Sequence, residues 1–172
     1  MIEHRLIERM IACIKKEIEK ENYYRLLNEK FINATVDFIR TYADRTHHGK
    51  EEEILFRDCA KKTMSTEDKK VMDELIEEHR YGRKTVKELV EANEKYAKGD
   101  SLQQEKIIGK LKELVKFYPQ HIKKEDDLFF TNSEKYFSKV ELDEMLNEFL
   151  EFDQKMIHEK YQTVVQQYER LQ

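Results

Sequence analysis

The stretch "HHGKEEEILF", residues 47–56, sets two histidines and three glutamates directly before three large apolar residues. It lies in a long segment, from about residue 24 or 28 to about 62, in which apolar side chains recur every three or four positions. This spacing is typical of the buried face of an amphipathic helix. The face comprises Ile32, Val36, Ile39, Ala43 and Ile54. Steps of four from Ala43 reach His47 and Glu51, which we therefore expect to point inward.

The neighbouring histidine, His48, belongs to a different face by the same rule. Steps back of four, seven and eleven positions reach Asp44, Thr41 and Asp37, and all three are polar. The pattern predicts that His48 and Glu52 lie in solvent. One His-x-x-x-Glu pair of this helix is thus expected to be buried.

Three other segments repeat this arrangement. The first has isoleucines at positions 7, 11, 14 and 18, the third begins near residue 66 after the capping signature "STED" and ends before Gly99, and the fourth begins near residue 101. Each of the four apolar faces includes one histidine: His4, His47, His79 and His121. On the fourth segment Glu125 follows one turn after His121, as Glu51 follows His47. A last helix is predicted from the capping box "SKVE", residues 138–141, towards residue 170.

The composition favours long helices with short links. The 172 residues include only four glycines and one proline, so turn formers are scarce. We predict an all-α fold: an antiparallel up-down-up-down four-helix bundle with an additional C-terminal helix. One domain should span residues 1–172, with the bundle at about 1–131 and the additional segment at about 134–172.

Several functional classes are disfavoured. The net charge is −4 and no dense basic run is present, which argues against nucleic acid as a partner. No apolar run has the ~20 residues that span a membrane, and the charged start is not a secretory signal. Cys13 and Cys59 form no CxxC pair, which favours a reducing, cytoplasmic setting. No nucleophile–base pair or phosphate-binding loop indicates a turnover reaction.

The inward histidines and glutamates indicate a metal site. A buried carboxylate without a partner costs several kcal/mol, and a bound cation removes that cost. Imidazole and carboxylate suit iron, zinc or manganese, and four imidazoles with two carboxylates could bridge two ions. A single inward histidine is more often a satisfied core residue, and a single His-x-x-x-Glu spacing arises by chance in a Glu-rich helix. Four such histidines on four helices favour the metal interpretation.

At these residues the chain resembles the hemerythrin-like, or HHE cation-binding, family. "HHGKEEEILF" is similar to the family block H-x-x-x-E-E-x-x-L-F, and "HIKKEDDLFF", residues 121–130, resembles the corresponding block of the fourth helix. "IEHRLIERMI" and "EEHRYGRKTV" resemble the blocks of the first and third helices, so the likeness covers about residues 1–131. It implies two non-haem iron ions, with zinc or manganese less favoured. The implied terminal ligands are His4, His47, His79 and His121, and the implied bridging carboxylates are Glu51 and Glu125.

The chain departs from the family pattern at Arg83. Oxygen-carrying hemerythrins have a second histidine one turn after the third-helix ligand, and Arg83 stands there. The resemblance then implies one nitrogen donor fewer, an open position on one ion, and doubt about reversible oxygen carriage. His158 on the last segment could fold back to supply the nitrogen. Tyr24, Tyr81 and Tyr118 could also approach the site, although spacing does not place them.

Two functional hypotheses follow. The first is a di-iron protein that binds or reacts with oxygen, nitric oxide or peroxide, in sensing, iron handling or redox stress, with a protein partner if it signals. The second is a helical interaction module in which the metal, such as zinc, is structural and closed to other ligands.

Overall fold

The computed structural model describes the backbone of residues 2–24 and 27–169 and the side chains of residues 2–20 and 27–160. This part of the chain is all-helical and contains no strand, which confirms the predicted class. The elements in chain order are α1 (Ile2–Tyr24), α2 (Glu29–Phe38), π1 (Ile39–His48), π2 (Glu51–Phe56), α3 (Arg57–Cys59), α4 (Thr66–Ala97), α5 (Gln103–Lys124), π3 (Glu125–Phe130), α6 (Thr131–Ser133), a 3-10 turn (Glu134–Tyr136) and α7 (Lys139–Glu169). Residues 29–59 form one continuous helical rod, the second long helix of the chain, which we call the second rod; residues 103–133 form another, which we call the α5 rod.

The helix ends lie close to the predicted positions. Ser65 caps α4 by accepting a hydrogen bond from the backbone N–H of Asp68 at 3.1 Å. Gly99 has a φ of 98°, a left-handed conformation that glycine adopts without steric cost, and it follows the end of α4. Ser138 accepts from the N–H of Glu141, whose carboxylate accepts from the N–H of Ser138, so "SKVE" forms the predicted capping box.

Two apolar clusters make up the core. The larger one joins α1, the second helical rod, α4 and α5, and includes the isoleucines of the α1 face together with Ile32, Leu89, Ile107, Leu111 and Leu114. The smaller one includes Ile54, Phe56, Leu75, Phe129 and Met145. In the second rod, in α4 and in the α5 rod, the site histidines lie in sequence between residues of the two clusters. The polar residues therefore form a layer between two apolar ones.

The second rod departs from α-helical geometry just before the site. Residues Ile39–His48 form a π-helix, and the backbone N–H of Gly49 donates to the carbonyl of Asp44, five residues earlier. The side-chain hydroxyl of Thr46 also donates to the carbonyl of Thr41. A π turn holds more residues than an α turn, and such turns are frequent at functional sites. Positions four and five after Ala43 consequently both face inward.

The last helix, α7, packs along the second rod. Arg45 pairs with Glu159 at 2.9 Å, and Lys160 pairs with Asp37 at 2.7 Å. Gly49 allows this close approach, because a Cβ atom added there would lie 2.9 Å from a ring carbon of Phe152. Within the described residues, no helix combines the length and the apolar character that crossing a bilayer requires.

Candidate metal centre

Seven ligand-type side chains converge in the polar layer, and each is at most 2% exposed. They are His4, His47, His48, Glu51, His79, His121 and Glu125. The set contains all six residues expected from the sequence. The seventh, His48, was expected in solvent, and that expectation is wrong. The π turn at Ile39–His48 turns its ring inward beside that of His47.

The seven side chains form two groups that could each hold a metal ion. The two-histidine group consists of His4, His47, Glu51 and Glu125, and the three-histidine group consists of His48, His79 and His121. Within each group, one ligand atom per residue lies within 4.8 Å of all the others. In the two-histidine group the Nε2 atoms of His4 and His47 approach to 2.9 Å.

Each buried glutamate faces both groups. Glu125 has Oε2 at 3.2 Å from Nε2 of His4 and Oε1 at 3.0 Å from Nε2 of His121. Glu51 has Oε1 at 3.6 Å from Nε2 of His47 and Oε2 at 3.4 Å from Nε2 of His79. Each of these two carboxylates directs one oxygen to the two-histidine group and the other to the three-histidine group, which is the geometry needed to bridge two cations.

Several of these buried polar atoms lack a hydrogen bond. Their chemistry indicates whether metal cations could be their partners. Both oxygens of Glu51, Oε2 of Glu125, Nε2 of His121 and both ring nitrogens of His48 make none. Buried polar atoms are nearly always satisfied, and leaving carboxylate oxygens without a donor is costly. Imidazole nitrogen and carboxylate oxygen are ligands of iron, zinc and manganese. The donor set therefore fits a pair of such ions.

An outer ring of carboxylates faces the other nitrogen, Nδ1, of every histidine. The pairs are His4 with Asp126 at 2.9 Å, His47 with Glu3 at 3.1 Å, His79 with Glu52 at 2.7 Å, His121 with Glu78 at 2.8 Å and, more distantly, His48 with Asp44 at 3.5 Å. A carboxylate that accepts from Nδ1–H fixes the tautomer and orients the ring, so that Nε2 is free to bind a metal. This arrangement is common around metal-ligating histidines.

The protonation equilibria reflect this crowding of acids and imidazoles. Burial lowers the pKa of His79, but the nearby carboxylates of Glu125 and Glu51 outweigh burial and raise that pKa to about 11. Burial also lowers the pKa of His121, whereas the charge of Glu125 raises it to about 9. Burial raises the pKa of Glu3, but the bonds from His47 and Lys50 lower it to about 2. The carboxylate of Glu3, behind His47, is thus held in its charged form.

His48 differs from the other histidines in this respect. Burial lowers its pKa well below the ordinary value, and the neighbouring rings of His79 and His121 lower it further. Its ring stacks on that of His79, with centroids 3.9 Å apart and planes 11° apart. A neutral imidazole has a lone pair available, which is the form that a metal ligand needs.

The structure also shows where Arg83 and His158 lie, the two residues that bear on the nitrogen ligand expected to be absent. Arg83 pairs with Asp44 at 2.7 Å and with Glu52 at 2.8 Å, and His48 brings a fifth imidazole, so the expected shortage of one nitrogen donor is not found. His158 does not join the centre. It is exposed, because α7 turns the side chains around Phe152 and Met156, and not His158, toward the second rod.

Of the three tyrosines, one lies beside the centre. Tyr118 is buried, and its ring centroid lies 6.5 Å from that of His48. Both residues line a cavity of about 480 Å³ that Arg83 also borders. Tyr81 is 45% exposed and donates to Glu113. The side chain of Tyr24 lies outside the described residues.

Comparison with known proteins gives one match. The family model described as "Hemerythrin HHE cation binding domain" matches residues 1–132. No curated protein and no solved structure matches the chain.

Proposed function

Because the chain belongs to the hemerythrin HHE cation binding domain family, we propose that it holds two non-haem iron ions and binds or reacts with a small ligand there. One observation carries the proposal: Glu51 and Glu125 each direct one oxygen to the two-histidine group and the other to the three-histidine group. One ion bound by either group alone would leave one oxygen of each buried carboxylate without a metal ion beside it. Two ions would place a cation beside all four oxygens.

The proposed roles follow from the two groups. His4 and His47 would hold one ion, His79 and His121 the other, and the two glutamates would bridge them. His48 would join His79 and His121 as a fifth imidazole. The outer carboxylates would orient the rings and balance charge, since the Nδ1 atoms of His4, His47, His79 and His121 each lie at hydrogen-bond distance from an acid.

Iron is proposed over zinc or manganese because of family membership, since the donor types suit all three. A bound iron pair supplies redox electrons and a coordination position for oxygen, nitric oxide or peroxide. With both glutamates bridging, the chain would offer four donors to the ion of the two-histidine group and five to the other. The small ligand should therefore bind on the two-histidine side, where more of the coordination sphere is left to it.

The cellular role that we propose is sensing, iron handling or protection against redox stress, with a protein partner if the chain transmits a signal. The two free cysteines, Cys13 and Cys59, fit the cytoplasmic setting that such a role favours. We also propose that the four ligand-bearing helices run up-down-up-down as an antiparallel bundle within one domain. Contacts of α1 with α5, of α5 with α4 and of α4 with α2 support this arrangement.

Metal analysis of protein loaded with iron under anaerobic conditions tests the proposal. We expect about two iron atoms per chain, and near-ultraviolet absorption of a bridged ferric pair after exposure to air. A fully loaded sample that retains no more than one ion would contradict the two-metal centre. Zinc alone, with no binding of nitric oxide or azide, would favour the structural-metal alternative.

A further inference from the structure

One arginine holds two of the outer carboxylates. Arg83 lies on α4, four residues after His79, and its Nε donates to Oδ1 of Asp44 at 2.7 Å. A terminal nitrogen of the same guanidinium donates to Oε1 of Glu52 at 2.8 Å. Asp44 and Glu52 belong to the second rod, so this contact also joins α4 to that rod.

The carboxylate oxygens that Arg83 contacts are the same atoms that face two of the site histidines. Oε1 of Glu52 accepts from Nδ1 of His79 at 2.7 Å. Oδ1 of Asp44 lies 3.5 Å from Nδ1 of His48. The rings of His48 and His79 are the stacked pair of the three-histidine group. A single guanidinium therefore fixes the acids behind two neighbouring imidazoles.

The other outer acids have separate cations. Among the described residues, Lys50 contacts Glu3 behind His47, and Arg5 contacts Asp126 behind His4 at 2.5 Å. Lys124 contacts Glu78 behind His121 at 2.5 Å. Lys50 and Arg5 thus contact the acids behind the two-histidine group. Arg83 and Lys124 contact the acids behind the three-histidine group.

We propose that Arg83 is a positioning residue that sets how tightly the three-histidine group holds its metal ion, with little effect on the other ion. This inference rests on the proposed two-metal function. Without the guanidinium, the like charges of Asp44 and Glu52 repel, and the half-buried Glu52 can turn to solvent and leave Nδ1 of His79 without its acceptor. Loss of such an outer partner weakens metal binding by about 10–100-fold.

The planar guanidinium is central to this role. It presents two donors in fixed directions to two acids, whereas lysine offers only a point charge. We expect Arg83→Lys to restore part of the metal affinity that Arg83→Gln loses. The side chain of Arg83 is 38% exposed, so its ion pair with Asp44 should contribute little to the stability of the metal-free protein.

The experiment follows the release of ferrous iron to a chelator from protein loaded with two equivalents of the metal. We expect Arg83→Gln to accelerate release of one ion by about 10–100-fold and to leave the other within about twofold. Lys50→Gln should accelerate release of the other ion. Arg80→Gln is the control, because Arg80 is on the same helix and pairs with Glu77 at the exposed surface. Arg80→Gln should change the release rate of neither ion.

Thermal unfolding of the metal-free variants separates positioning from general stability. The midpoint for Arg83→Gln should lie within about 4 °C of wild type. Equal acceleration of both ions, no acceleration of either, or the same loss of stability with and without metal would overturn the proposal. If Arg83→Gln does not fold, Glu52→Gln replaces it, and this variant should accelerate release of the ion held by the three-histidine group.

The outcomes also separate this inference from the proposed function. Wild-type protein that binds no more than one ion would refute the two-metal function itself. Wild-type protein that binds two ions, together with an Arg83→Gln variant that releases both at the wild-type rates, would refute only the role of Arg83.

Discussion

Replacing His48 by leucine distinguishes a metal ligand from a packing histidine. The ring is 2% exposed, and neither of its nitrogens makes a hydrogen bond. Its pKa is held well below the ordinary value, so the substitution removes no charge. Leucine should fit this environment, because Ile122, which follows His121 as His48 follows His47, is buried at 3% exposure in α5.

The magnitude follows from the unsatisfied nitrogens. A buried polar group without a partner costs about 1–3 kcal/mol, and the leucine variant avoids that cost in metal-free protein. For a chain of this size, each kcal/mol shifts the midpoint by about 2–4 °C. The metal-free midpoint should therefore rise by roughly 2–12 °C.

The loaded protein should respond in the opposite way. Bound metal stabilises the folded state in proportion to the logarithm of the ratio of free metal to dissociation constant. Loss of one of three imidazoles raises that constant, so the difference between loaded and metal-free midpoints should shrink. Circular dichroism melts with chelator and with excess ferrous iron measure both quantities.

A matched variant controls for the loss of a histidine as such. His158→Leu changes an exposed ring on α7 and should alter neither midpoint appreciably. The reasoning about His48 is refuted if His48→Leu lowers the metal-free midpoint while metal content and affinity stay at wild-type values. That result would make His48 a packing residue of the core.

Three further predictions concern the bridging acids, the packing of α7 and the exogenous ligand. Glu51→Ala or Glu125→Ala should lose both ions by elemental analysis, because each carboxylate faces both groups. Glu52→Ala should keep both ions, with the affinity of the three-histidine group lowered about 10–100-fold, and an empty site in Glu52→Ala beside a full one in Glu51→Ala would contradict this. Gly49→Ala should destabilise the protein by about 1–3 kcal/mol in urea unfolding, because the new Cβ would meet an α7 ring at 2.9 Å. Gly109→Ala, with nothing within 4 Å, should stabilise it by about 0.5–1 kcal/mol, and the same sign for both would count against this packing. Titration of the oxidised, metal-loaded protein with azide should saturate at about one azide per metal pair, since one of the two proposed ions would have fewer protein donors. Two azides per pair would argue against that asymmetry.

The sequence by itself determined the helical class and most of the residues of the candidate centre. Apolar side chains at helical spacing, the capping signatures at Ser65 and Ser138 and the scarcity of glycine and proline led to helices whose ends lie near the expected residues. Local hydrogen bonding fixes this level of structure, so a local pattern is sufficient to predict it. Because each apolar face carried one histidine, the same periodicity also identified the six residues that the fold brings together.

Tertiary structure decided what local periodicity does not contain. The prediction for His48 failed because stepping by three or four assumes hydrogen bonds that span four residues, and the rod changes to five-residue bonds before the site. Nothing in the sequence of that segment signals this change beyond two adjacent histidines followed by three glutamates. The division into a two-histidine and a three-histidine group, and the pairing of Nδ1 of His4, His47, His79 and His121 with an acid, depend on the packing of residues far apart in the chain. Arg83 acquires its role in the same way, since Asp44 and Glu52 reach it only when the second rod lies against α4.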